Sequence, residues 1–177
     1  MSIKYFPMID LSRFTKIEKL YIRDFQKGKL NINVDIEELG LINFYKKDLS
    51  DISNVEKINK LFITYAPSVK SLDGIEDFVR LEELELDYAP RLHFIESLSK
   101  CENIKNLSIF DCNKIEDLFN SISKLVNIEY INLYNKETNV INKINDFSFL
   151  NNLNNIKRFL TDYKVPKGKI PDVIKFL

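Results

Sequence analysis

Three carboxylates at alternate positions, Glu83, Glu85 and Asp87, have the spacing that most invites chemistry. In an extended segment alternate residues share a face. A row of carboxylates there could serve as general acid and base, or hold a cation. Acid–base catalysis needs surroundings that drive two pKa values apart, and the flanking residues build no enclosing pocket for that. His93 is the only histidine, and no Ser or Cys stands at a spacing that would make it the base of a nucleophile. Cys101 and Cys112 recur in apolar columns and read as small core residues. With His93 they fall short of the four ligands a zinc site requires. The sequence lacks both G-x-x-x-x-G-K-[ST] and G-x-G-x-x-G, and it holds 4 glycines in all. Lys164, Lys167 and Lys169 make a small basic tail, too slight to argue for DNA or RNA. The residues therefore give no expectation of a metal, a cofactor or catalysis.

The elements that would position these residues follow from a repeat. An apolar-x-x-apolar-x-apolar signature recurs as Ile17, Leu20, Ile22; Ile36, Leu39, Leu41; and Ile58, Leu61, Ile63. It continues as Leu81, Leu84, Leu86; Ile104, Leu107, Ile109; Ile128, Ile131, Leu133; and a degraded Ile156, Phe159, Thr161. The middle positions lie 19, 22, 23, 23, 24 and 28 residues apart. Between signatures apolar residues return every third position, as in Val69, Leu72, Ile75 and Phe78, or Leu92, Ile95, Leu98 and Cys101. A unit this short cannot bury its own apolar edge, but a stack of such units can.

The pattern resembles the leucine-rich repeat, L-x-x-L-x-L-x-x-N/C-x-L. The unit from Ile104 through Leu107, Ile109 and Cys112 to Ile115 carries it best, and the resemblance covers residues 17–163. It implies an α/β solenoid: a curved parallel β-sheet on the concave face, with short helices, 3₁₀ turns and loops on the convex face. Residues 1–177 are expected to form one domain, with an N-terminal cap over 1–16, about seven repeats over 17–163 and a C-terminal cap or tail over 164–177. The returning segment His93–Lys100 is expected to be a short helix or 3₁₀ turn. Pro166 and Pro171 should end regular structure, leaving Ile174, Phe176 and Leu177 to close the core. Asn139, Asn142, Asn145, Asn151, Asn152, Asn154 and Asn155 mark the penultimate unit as loop-rich. One departure matters. The family's inward Asn or Cys is matched by Cys112, whereas the same column holds Phe25, Phe44, Ala66 and Ala89, so some backbone amides there must find other partners.

Four columns of each unit should face solvent on the concave side or its rim. They bring aromatic residues to adjacent strands: Phe62, Tyr65, Tyr88, Phe110, Tyr130 and Tyr134, with Tyr21 and Tyr163 in the outer units. They also gather Glu83, Glu85, Asp87 and Asp111 at the centre with Asn132 nearby, and leave Lys19, Arg23 and Arg158 towards the ends. Lys60 is the one base near the acids. Tyrosine dominates many interface hot spots, and carboxylates around it steer a basic partner. The plainer account is that strands favour aromatics and exposed charge keeps them soluble.

Composition narrows the partner. The 26 basic and 26 acidic residues cancel, so no bulk charge argues for nucleic acid or anionic lipid. The first ten residues lack the apolar stretch of a secretion signal, and no segment is long enough to span a bilayer. Two cysteines make no disulfide framework. The expectation is a soluble, monomeric protein of a reducing cytoplasm, and the wealth of Ile, Asn and Lys points to an AT-rich bacterial genome. Its function is expected to be non-catalytic protein binding through the concave face. One version is an immunity protein or inhibitor that neutralises a cognate basic toxin. The alternative is an adaptor or effector that binds a host or regulatory protein, and an enzyme is the remotest of the three.

Overall fold

The structure is a computed structural model that describes residues 17–136, 143–167 and 170–176. The expected N-terminal cap, Asn139, Asn142, Lys169, Leu177 and the side chain of Phe176 lie outside the described residues.

In chain order the first strands are β1 (Lys19–Arg23), β2 (Leu30–Asn31), β3 (Glu38–Ile42), β4 (Ile52–Ser53) and β5 (Lys60–Thr64). There follow β6 (Glu83–Asp87), β7 (Asn106–Phe110), β8 (Tyr130–Tyr134), β9 (Arg158–Thr161) and β10 (Ile174–Phe176). Eight of them form one parallel sheet in the order β1-β3-β5-β6-β7-β8-β9-β10. The register carries no offset: Leu20, Leu39, Leu61, Leu84, Leu107, Ile131 and Phe159 lie in one row across the sheet. All seven signatures are therefore in phase. Pro171 does not end regular structure as expected, and Ile174 is buried. Regular structure resumes after Pro171, whose carbonyl accepts from the Ile174 amide at 2.9 Å, and Ile174 then pairs with Phe159.

Alternation along each central strand sends the second and third signature residues inward. Leu61, Ile63, Leu84, Leu86, Leu107, Ile109, Ile131 and Leu133 are buried. Each contributes about 1.5–3 kcal/mol relative to exposure, which is what the stack gains against chain entropy. The polar Thr161 in the degraded seventh signature is buried as well.

After each of the first five strands of the large sheet, β1, β3, β5, β6 and β7, the chain turns through a left-handed residue. These are Asp24, Asn43, Tyr65, Tyr88 and Asp111, with φ of 61°, 54°, 55°, 60° and 51°. The turn aims the following residue at the core, and Phe25, Phe44, Ala66, Ala89 and Cys112 are all buried. Phe25 and Phe44 fill the space with rings 6.0 Å apart and 17° from parallel. The amides that lack a side-chain partner use the next unit's carbonyls. Phe44 donates to Tyr65 at 3.1 Å and Ala66 to Tyr88 at 2.9 Å.

The return path changes character with unit length. In the two shortest units it is extended, and β2 and β4 pair in parallel, Leu30 with Ile52. The 23-residue units return through 3₁₀ segments, Ile75–Asp77 and Glu96–Lys100. The next uses an α-helical turn, Leu118–Ile122, and the longest uses the 3₁₀ segment Ser148–Asn152. The convex side thus mixes a short helix, 3₁₀ turns and extended segments, and the returning segment expected to be helical or 3₁₀ over His93–Lys100 holds the 3₁₀ segment Glu96–Lys100. An extended residue covers about 3.3 Å against about 2.0 Å in a 3₁₀ turn, so the shorter units can span the return only by stretching.

A further ladder ties the later units together just before each strand. Asn103 donates to the Val79 carbonyl at 2.8 Å, Asn127 to Glu102 at 2.9 Å and Asn155 to Val126 at 3.1 Å. Among the described residues no helix is long and apolar enough to cross a membrane.

Candidate functional site

Glu83, Glu85 and Asp87 stand at alternate positions of β6, with Leu84 and Leu86 buried between them. Parallel pairing then fixes their neighbours. Glu83 lies between Lys60 and Asn106, Glu85 between Phe62 and Ser108, and Asp87 between Thr64 and Phe110. The Lys60 ammonium reaches Glu83 at 2.9 Å. Among the described residues no cation pairs with Glu85 or Asp87. Burial raises the Glu85 carboxyl above its ordinary value, and repulsion from Asp87 and then Glu83 raises it further. The sheet therefore holds a half-buried carboxylate without a counter-charge.

Beside this row stand Tyr65 and Tyr88, whose rings lie 5.1 Å apart and 3° from parallel. They are 44% and 38% exposed. Both occupy the left-handed turn position that Asp or Asn fills in the neighbouring units. Short polar side chains tolerate this conformation by bonding locally; a tyrosine pays about 1–2 kcal/mol for it. The two rings are thus held in solvent at a cost to the fold.

The remaining candidates divide. Phe110 and Tyr134 share a register row with Asp87, and both are half-buried. Asn132 lies beside Ser108 and donates to its hydroxyl at 2.9 Å. Asp111 accepts the backbone amide of Lys136, which commits part of it to a loop. Tyr130 sits apart from the acids: its ring is 5.7 Å from both the Lys157 ammonium and the Arg158 guanidinium.

Tyr163, expected in an outward column, is covered, and so are Glu38 and Gly40, which alternate with the inward Leu39 and Leu41 on β3. Tyr163 is buried, 6.3 Å edge-on to Phe119, with its hydroxyl pKa raised chiefly by burial. It lacks the left-handed φ of Tyr65 and Tyr88, so nothing rotates its ring outward. Glu38 and Gly40 are buried because the Tyr21 ring lies across them. A Cβ on Gly40 would stand 2.3 Å from that ring. The Tyr21 hydroxyl donates to Glu38, whose carboxylate also meets Lys19 at 2.9 Å. These hydrogen bonds, Tyr21 first and Lys19 second, hold the Glu38 carboxyl below its ordinary range.

Other reactive groups are quiet. His93 Nδ1 lies 3.2 Å from Glu116 in the returning segment. Burial pushes the thiols of Cys101 and Cys112 up to about 12, far from a nucleophilic thiolate at neutral pH. Among the described residues no group of three His, Cys, Asp or Glu could hold a metal ion.

Two features escaped sequence reading: the Asn103–Asn127–Asn155 ladder and the strain at Tyr65 and Tyr88. The first had a signal, an Asn immediately before Ile104, Ile128 and Ile156. The second had a signal in a column written with Asp and Asn at Asp24, Asn43, Asp111 and Asn135 but with tyrosine at Tyr65, Tyr88 and Tyr163.

No protein-family model matches the sequence, and no curated protein matches it. Solved structures do. An internalin from Listeria monocytogenes is similar at 19% identity and a TM-score of 0.51, with 87% of this chain and 50% of that one covered. A leucine-rich-repeat protein from Leptospira interrogans is similar at 14% identity and a TM-score of 0.51, with 100% and 64% covered. The chain thus spans half of one and under two thirds of the other. At such identities the likeness speaks for the fold alone.

Proposed function

We propose that this chain, which has the leucine-rich-repeat fold, is a non-catalytic binding module whose concave sheet receives a basic partner protein. The reading rests on the unpaired, half-buried Glu85 beside Asp87 and the exposed Tyr65–Tyr88 stack. A carboxylate stripped of water without a counter-ion opposes folding. A lysine or arginine brought by a partner would relieve it, and the two rings would supply rigid contact area. Phe62, Glu83, Phe110, Asp111, Tyr130, Asn132 and Tyr134 complete the proposed face.

In its most specific form the partner is a toxic enzyme with a basic cleft, and the chain is the immunity protein or inhibitor that masks that cleft in the bacterial cytoplasm. In this form the free protein is a monomer, and it binds neither nucleic acid nor membrane. An adaptor or effector role with a regulatory or host partner is the second reading. Both use the same face.

The test is capture of partners by immobilised wild-type protein and by the Glu85→Lys/Asp87→Lys variant. A basic protein retained by the first, released by salt and lost from the second is the expected result. Equal retention by both would overturn the reading. The identity of the retained protein separates toxin from regulator.

A further inference from the structure

The rim beyond the C-terminal ends of β5, β6 and β7 carries the opposite charge. Lys70, Arg91, His93, Phe94, Lys114 and Glu116 line one shallow depression there. Its backbone is a ladder like that of the sheet: the Lys70 amide donates to Lys47 at 2.7 Å, His93 to Lys70 at 3.0 Å and Glu116 to His93 at 2.9 Å. The Phe94 amide also reaches the Lys70 carbonyl, at 3.1 Å. Arg91 and Lys114 hold the same place in consecutive 23-residue units. The repeat therefore stacks these two cations as it stacks the core, and Lys70 stands in the adjoining column with His93 and Glu116.

Two properties make this rim more than a solvated edge. Lys70, Arg91 and Lys114 are exposed and, among the described residues, form no ion pair, while Glu116, the acid lining the depression, lies 3.2 Å from His93. Phe94 lies among them 47% exposed, its ring 5.9 Å from His93. The third-position pattern needs Leu92 and Ile95 inside, and both are buried; it does not need a phenylalanine outside.

We infer that this rim is a second docking surface, for an acidic polypeptide segment that places carboxylates on Lys70, Arg91 and Lys114 and an apolar side chain over Phe94. Charge complementarity selects the occupant. A nucleic acid fits less well, because Phe94 is a single ring where strand binding uses several. The inference does not depend on the basic partner of the concave face, since it concerns other residues and the opposite charge.

A fluorescent glutamate-rich peptide with one central phenylalanine, and its lysine-rich counterpart, test it by anisotropy against the whole chain. The acidic peptide should bind, and Lys70→Glu/Arg91→Glu/Lys114→Glu should weaken it about tenfold or more. Phe94→Ser should weaken it about fivefold while leaving the charges in place. Glu85→Lys/Asp87→Lys should leave it bound at least as tightly, which keeps this outcome separate from that of the concave face. No binding of the acidic peptide, equal binding by the triple variant, or tighter binding of a single-stranded oligonucleotide would overturn the inference. So would self-association of the wild-type chain that Arg91→Glu abolishes, because the rim would then belong to a second copy.

Discussion

The rings of Tyr65 and Tyr88 stack 5.1 Å apart on two residues whose backbones are both left-handed. Position and strain come together here: the turn that sends Ala66 and Ala89 into the core lifts the preceding side chains into solvent.

Replacing both tyrosines by asparagine should separate folding from binding. Two strained residues are relieved, at about 1 kcal/mol each, and one stacked pair is lost, at about 0.5–1.5 kcal/mol. The double variant is expected to melt slightly higher than wild type, by calorimetry, while its captured partner is lost. A fall of several degrees in melting temperature would mean that the pair serves the fold.

Glu85 should make stability fall as pH rises. Its folded pKa is raised, so the folded state holds the proton more tightly than the unfolded chain. The resulting stabilisation is full below the ordinary glutamate value and is lost as pH climbs through the raised folded one. Glu85→Gln should flatten that part of the stability curve and melt higher than wild type at pH 7, as followed by thermal unfolding from pH 4 to pH 8.

Glu38 should act in the opposite sense. Its folded pKa is lowered by Tyr21 and Lys19, so its contribution is present above the ordinary glutamate value and disappears as pH falls through the depressed one. Tyr21→Phe removes the leading cause. The acid-unfolding midpoint, read by circular dichroism, should move to higher pH in that variant.

Gly40→Ala should be destabilising by about 1–3 kcal/mol, because the new methyl would meet the Tyr21 ring at 2.3 Å. Tyr21→Ser in the same chain should recover most of the loss. Denaturant unfolding of the two variants measures both halves of this expectation.

Strand positions were legible in the sequence because burial repeats with the unit: Leu84, Leu107 and Ile131 reveal their row by spacing alone. The outward row of Glu83, Glu85 and Asp87 was legible for the same reason, since alternation is forced once Leu84 and Leu86 point inward. What spacing could not show was set by neighbours in the stack. Gly40 is covered because a ring from the preceding unit falls across it, and Tyr163 goes inward because its turn lacks the left-handed residue that exposes Tyr65. β10 was hidden because three residues after a proline carry no periodicity; the open edge of β9 supplies the template.

The absence of any offset between successive strands makes the units interchangeable parts. Excising residues 85–107, one whole period, would join Leu84 to Ser108 and leave every remaining side chain on the surface it already occupies. Such a chain would be shorter by one rung and would lose Glu85, Asp87 and Tyr88 together. Footprint length in this architecture can therefore change by whole rungs, through loss or duplication of a period, without renegotiating the interior.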